Sequence, residues 1–359
     1  MRPYLTGVFG NPSSHHTAGE AAASALDDAR ARVARVLGMR AGDVVFTAGG
    51  TEANNLAVKG IALAALGSGR RHLVVSPIEH ESILESADYL RRFHAVEVTV
   101  LPVDAVGRIS PETLATALRE DTALVSIGHA NNEIGTVQDA AALTSVARAA
   151  RVPSHLDAVQ SAGWLPLDAL GADAVSIAGH KLGAPKGIGA LAVRGRVAVE
   201  PLLHGGGQER GRRSGTENVA GAVALATALE LAEREREAVA ARVGTATARF
   251  IALVLDRVPD AALTGDPVHR LPGTASFTFA GSSGESVLLE LERRGVISSS
   301  GSACAAGSDD PSHVLLACGV PAEVAQTSVR FTFGRDELPA DAPERLSALV
   351  AESVRAARG

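Results

Sequence analysis

Apolar residues fall into two rhythms along this chain. Short β-rich runs occur at DVVFT (43–47), HLVVS (72–76), VEVTVLPV (96–103), ALVSIGHA (123–130), SHLDAV (154–159), DAVSIAG (173–179) and GALAVR (189–194). Between them lie stretches with helical spacing, such as the one that follows the Gly-rich turn at 48–51 and the one from about Glu79 to Phe93. Strands separated by helix-length connections imply right-handed crossovers, and so a mainly parallel, doubly wound sheet flanked by helices.

The rhythm then changes. Residues 217–257 predict one or two long helices, whose stretch EREREAVAARV reads as a solvated face. After them come a strand at TASFTF (274–279), a helix at 284–294, a strand at SVRFTF (328–333) and a helix at 341–357. The expected fold class is α/β: a large domain over 1–240 and a smaller C-terminal α+β domain over 241–359.

Composition narrows the function. The chain has 359 residues, a formal net charge of −6 and mixed charges. No basic tract is long enough to suggest a nucleic-acid face. No run reaches the ~18–20 uninterrupted apolar residues that span a bilayer, and Met1 is not followed by an apolar signal core. The two cysteines, Cys304 and Cys318, allow at most one disulfide. That count fits a reducing compartment, and the expected location is the cytoplasm.

The strongest chemical signal is AGHKLGAPKGIG (178–189), in which Lys181 follows directly on a strand, beside His180, and enters a loop of small residues. Asp157 ends another predicted strand, three residues before Gln160. AGGTEANN (48–55) opens a helix with Gly50 and Thr51, where free N–H groups and a hydroxyl can hold a phosphate. All three lie at strand ends, where open α/β sheets place ligands. A lysine able to form an imine, an acid for a protonated ring nitrogen and a phosphate cradle are what pyridoxal 5'-phosphate (PLP) requires.

Cys304 stands in SSSGSACAAGSDDPSHVL (298–315), with no side chain near it large enough to build a core. A free cysteine more often behaves as a small buried hydrophobe, as expected of Cys318 in LLACGVP. His129, His155 and His204 fit structural hydrogen bonding at least as well as catalysis.

These motifs resemble the NifS/IscS-like cysteine desulfurases, within the class-V, fold-type-I PLP enzymes. The likeness runs from GNPSSHHTAG (10–19) to SVRFTFGR (328–335), through EHESIL (79–84), NNEIGTVQ (131–138), HLDAVQSAG (155–163) and GGGQERGRRSGTENVAG (205–221). It implies that Lys181 carries the cofactor, that Asp157 faces the pyridine nitrogen and that Gln160 bonds the ring hydroxyl. It implies His80 stacked on the ring and moving protons, and Gly50, Thr51 and His180 on the phosphate. Thr216 would reach the phosphate of a partner subunit, which implies a homodimer with shared sites. Asn132 and Arg330 would hold the substrate carboxylate, Asn132 also lying against the cofactor.

The resemblance assigns Cys304 as the nucleophile that takes sulfur from L-cysteine as a persulfide, leaving L-alanine. Sulfur then passes to an acceptor protein for Fe–S cluster assembly, tRNA thiolation or another thio-cofactor. No intrinsic metal is expected, although Cys304 can ligate an Fe–S cluster shared with a scaffold. Six residues separate Cys304 from Pro311, as in the longer-loop NifS/IscS-like group.

Two departures stand out. MRPYLTGVFGNPSS looks like the interior of the family's first helix, so the N-terminal segment is expected to be truncated. Ala178 stands where many relatives carry a serine that touches the phosphate. Alternatives on the same scaffold are a class-V aminotransferase, a selenocysteine lyase, or a degenerate, non-catalytic dimeric paralogue.

Overall fold

The structure, a computed structural model, describes residues 1–300 and 310–358. Two compact units are formed, the first from 1–101, 110–129 and 139–236, the second from 102–109, 130–138 and 237–359.

The first unit begins with α1 (Arg2–Thr6) and α2 (Thr17–Val36), followed by β1 (Val44–Thr47). In α2, Ala22, Leu26, Ala29 and Val33 recur at helical spacing and are all buried. Beyond β1 a helical run comprises α3 (Gly50–Asn55), a π-turn over Leu56–Gly60 and α4 (Ile61–Ala65). Then come β2 (His72–Val75), α5 (Glu81–His94), β3 (Glu97–Val100), α6 (Pro111–Ala117), β4 (Thr122–Gly128), α7 (Ala140–Ala149), β5 (Ser154–Asp157), β6 (Ala174–Ala178) and β7 (Gly189–Val193). The seven strands form one sheet in the order β1-β7-β6-β5-β4-β2-β3. All neighbours from β6 to β3 pair in parallel; β7 is antiparallel to both β6 and β1. The mainly parallel sheet expected from the crossover spacing is therefore present. Its central strands β4, β5 and β6 are buried almost end to end, as a sheet covered on both faces requires.

The stretch expected as one or two helices is one, α8 (Val219–Arg257). One 18-residue window of α8 has a mean hydropathy of 1.5, enough by length and composition to cross a bilayer, but such a helix is weak evidence of a span. Its arginines are engaged in polar bonds: Arg242 donates to the carbonyl of Arg335, and Arg249 pairs with Glu344 at 2.9 Å.

The second unit contains β8 (Ala261–Leu263), β9 (Thr274–Phe279), α9 (Gly284–Arg293), β10 (Ser299–Ser300), α10 (His313–Ala317), α11 (Ala322–Ala325), β11 (Ser328–Thr332) and α12 (Ala342–Arg358). Its four strands form an antiparallel sheet in the order β10-β11-β9-β8. The short strands β8 and β10 carry no sequence signal of their own and exist because β9 and β11 offer them edges. The core is aromatic: Phe250 packs edge-on to Phe277 and Phe331, with ring centroids 6.0 and 5.2 Å apart.

Candidate active site

The parallel strands of the first unit end together, and their last residues carry the chemistry. Asp157 closes β5, opposite Gly128 at the end of β4. Its carboxylate accepts the backbone N–H of Val159 at 2.9 Å and the side-chain amide of Asn54 at 2.7 Å. Burial pushes its pKa up, while those two bonds and the nearby His80 pull the other way. Asp157 forms no salt bridge with an arginine or lysine among the described residues. A protonated heterocycle nitrogen is the partner such a buried carboxylate lacks, so the site fits a pyridine ring.

Gly50 begins α3, where the chain turns from β1 into the helical run. A Cβ on Gly50 would lie 2.8 Å from Val159 Cγ2 and 3.2 Å from Ala178 Cβ. The turn after β1 therefore sits directly on the chain just beyond Asp157 and on the last residue of β6. No residue with a side chain can replace Gly50 without displacing one of them. A Cβ on the preceding Gly49 would meet nothing within 4 Å, so open space adjoins the first amides of α3. That is a cradle suited to a phosphate, with Thr51 exposed beside it.

Three residues beyond Ala178 comes Lys181, exposed in the 3-10 turn Gly179–Lys181. His180 has its pKa lowered, first by loss of solvent around the ring and then by the charges of Lys181 and Lys186. Gln160 is half-buried in the turn after β5. Thr216 is exposed in the segment that leads to α8. Arg213, three residues earlier, is tied to Glu52 of α3 at 2.8 Å.

His80 caps the N-terminus of α5, its ring Nδ1 accepting the N–H of Ser82 at 3.0 Å. The neighbouring Glu79 is buried and accepts the hydroxyl of Ser76 at 2.5 Å. Burial, aided by the charge of Asp157, pushes the Glu79 carboxyl up to about 8, against bonds from Ser76 and the Gly128 N–H. Glu79, Ser76, Ser82 and Asn54 were not singled out by the sequence. Asn54 and Ser82 stand inside the quoted motifs TEANN and EHESIL, but neither residue type announces a role without its partner.

Of the other histidines, His129 bonds Ser161 at 2.9 Å, and burial lowers its pKa to about 4. His155 bridges Ser126 and Ser176, each at 2.9 Å, and burial lowers it to about 3. His204 is exposed.

In the second unit, Arg330 of β11 donates to the backbone carbonyl of Asn132 at 2.7 Å, so these two predicted residues are brought together. β10 pairs with β11 there, Ser299 opposite Arg330. Cys304, which follows β10 in sequence, lies outside the described residues. Ser312 caps α10 through the Leu315 N–H and donates to Glu133 at 2.5 Å. Cys318 is buried, and its thiol is pushed up to about 11 by burial and by the charges of Asp104 and Glu133, which makes it a poor nucleophile.

Residues 1–342 match the family of class-V aminotransferases. The chain is 45% identical over 358 residues to the "IscS-like cysteine desulfurase" of Mycobacterium tuberculosis, covering 98% of this chain and 91% of that protein. It is 44% identical over 336 residues to "Cysteine desulfurase IscS" of Dictyoglomus turgidum, covering 93% of this chain and 85% of the relative. Among solved structures it is similar to a "NifS-like protein" with a TM-score of 0.90 and 32% identity, covering 99% of this chain and 94% of the other.

Proposed function

Because the chain belongs to the class-V aminotransferase family and, within it, to the IscS-like cysteine desulfurases, we propose that it converts L-cysteine to L-alanine and hands the sulfur to an acceptor protein. It is a soluble PLP-dependent enzyme of that family; its action in the cytoplasm, as a homodimer with shared sites, is part of the proposal. The observation that carries the reading is the packing of Gly50 on Val159 and Ala178, which gathers a phosphate cradle, a buried carboxylate and the lysine-bearing turn at one end of the sheet.

When bound, PLP supplies an electron sink conjugated to the substrate's α-amino group. Lys181 would hold it through Nζ and would move a proton at that atom. Asp157 keeps the ring nitrogen protonated, and Gln160 orients the ring through its hydroxyl. Gly50, Thr51 and His180 bind the phosphate, with Thr216 contributed to the partner's site. Arg330, already bonded to the Asn132 carbonyl, binds the substrate carboxylate, for which a planar guanidinium is well shaped.

Cys304, assigned from sequence alone, takes the sulfur. Its sulfur forms a bond to the substrate's sulfur while the Cβ–S bond breaks. One thiol proton ends on Cβ, making the methyl group of alanine, and the other remains with the persulfide. Both sulfurs are oxidised, each from the thiol to the persulfide level, as the carbon is reduced by two electrons, so no external oxidant is needed. The acceptor is a protein of Fe–S assembly, tRNA thiolation or another thio-cofactor pathway.

The test is alanine and sulfide release from L-cysteine by the holoenzyme, with a thiol reductant present to free the persulfide sulfur as sulfide, and with Cys304→Ser and Lys181→Ala in parallel. Loss of turnover in both variants supports the reading. Full turnover in Cys304→Ser, or a chain that binds PLP and leaves L-cysteine intact, refutes it.

A further inference from the structure

The Nδ1 of His80 faces a backbone N–H, that of Ser82, at 3.0 Å. A backbone N–H can only donate, so this nitrogen must be the bare one, and the neutral ring carries its proton on Nε2. The Ser82 hydroxyl lies 2.9 Å from the same Nδ1 and therefore also donates to it. Its oxygen in turn accepts from Asn54 Nδ2 at 2.9 Å. The other hydrogen of that amide goes to Asp157 Oδ2 at 2.7 Å.

The accepting Nδ1 fixes the direction of this chain: it takes the Ser82 hydroxyl proton, so the Ser82 oxygen must accept, and Asn54 must present its NH2 group, whose second hydrogen goes to Asp157 Oδ2. That orientation leaves Asn54 Oδ1 buried with no hydrogen-bond partner. Turning the amide over would set this oxygen against the carboxylate instead, so the unpartnered oxygen is the lesser cost.

We infer that Asn54 and Ser82 are positioning residues that hold His80 as its Nε2–H tautomer and tie the ring to Asp157. The inference rests on the desulfurase reading only for its consequence. In turnover, His80 presents a donor at Nε2, because a basic Nε2 requires the tautomer that would set two donors against each other at Ser82.

The experiment uses full-length protein labelled with [15N]histidine, with and without PLP, and His80 assigned by the signals lost in His80→Gln. Long-range 1H–15N spectra should show Nε2 protonated in the neutral ring. In Ser82→Ala the Nδ1 resonance should move to higher frequency as one donor is lost. Asn54→Ala, which does not touch His80, should move it the same way by less, and Ser82→Thr should restore it. In the holoenzyme, Ser82→Ala should lower kcat roughly fivefold with KM unchanged, the loss of one hydrogen bond's worth of positioning. An Nδ1–H ring, or an Nδ1 resonance unmoved in both alanine variants, overturns the inference. The expected spectra from a protein inactive on L-cysteine would leave the relay standing and refute the desulfurase reading alone.

Discussion

The guanidinium of Arg30 on α2 is buried against the carboxylate of Glu209, Nη1 to Oε2 at 2.6 Å and Nη2 to Oε1 at 3.0 Å. The same Nη1 also donates to the carbonyl of Val44 at 2.6 Å. Glu209 and the next residue, Arg210, both have left-handed backbone angles, φ 47° and 58°. Two successive non-glycine residues in that region are costly, and the ion pair is what holds them there. The segment they shape leads on to Thr216.

Removing one partner of a buried pair leaves the other charged and uncompensated. Arg30→Met is therefore expected to lower stability by roughly 3–5 kcal/mol, read from urea denaturation at neutral pH. Arg30→Lys should recover only part of the loss, because an ammonium cannot make the two parallel bonds. A methionine variant as stable as the parent would remove this pair from the account of the fold.

Glu79 gives stability a pH dependence. Its folded pKa, about 8, lies above the ordinary carboxyl value of 4.5, so the folded chain holds this proton more tightly than the unfolded chain. Its contribution is full below about 4.5, declines as pH rises, and is gone above about 8. Glu79→Gln has no proton to lose, so its stability should fall less steeply across that window, by up to about 1.4 kcal/mol per pH unit. Denaturation midpoints of both proteins from roughly pH 4 to pH 9 measure the difference. Parallel curves would mean that Glu79 is ionised in the fold.

Asp157→Asn tests the ring-nitrogen partner. The substitution keeps the shape and exchanges a charge-assisted bond, worth roughly 1.5–3 kcal/mol, for a neutral one. PLP affinity, from absorbance titration of the apoprotein, should fall about tenfold to a hundredfold. Unchanged affinity would assign Asp157 a structural role.

Ala178 is buried at the end of β6, against Gly50. Ala178→Ser adds a hydroxyl beside the cradle, and one further bond to the phosphate is worth about 1 kcal/mol. PLP should bind roughly fivefold tighter by the same titration. Weaker binding would mean that the serine displaces Gly50 instead of reaching the phosphate.

The sequence by itself determined what is local. Strand and helix periodicity follow from which neighbours along the chain are apolar, so the crossover pattern, the strand-end position of Asp157 and the place of Lys181 in the turn after a strand were legible before any fold. Glycine at position 50 and His80, second in EHESIL, were legible for the same reason. Only the tertiary structure decided the pairings that cross long stretches of chain. Asn54 meets Asp157 across 103 positions, and Arg30 meets Glu209 across 179. Segments 102–109 and 130–138, embedded in the βα pattern, join the second unit. Such pairings depend on strand order and register, Gly128 opposite Asp157 among them, and these are set by how whole faces bury one another. A side chain's tautomer, its raised pKa or its unpartnered oxygen follows from that burial, and no run of neighbouring letters encodes it.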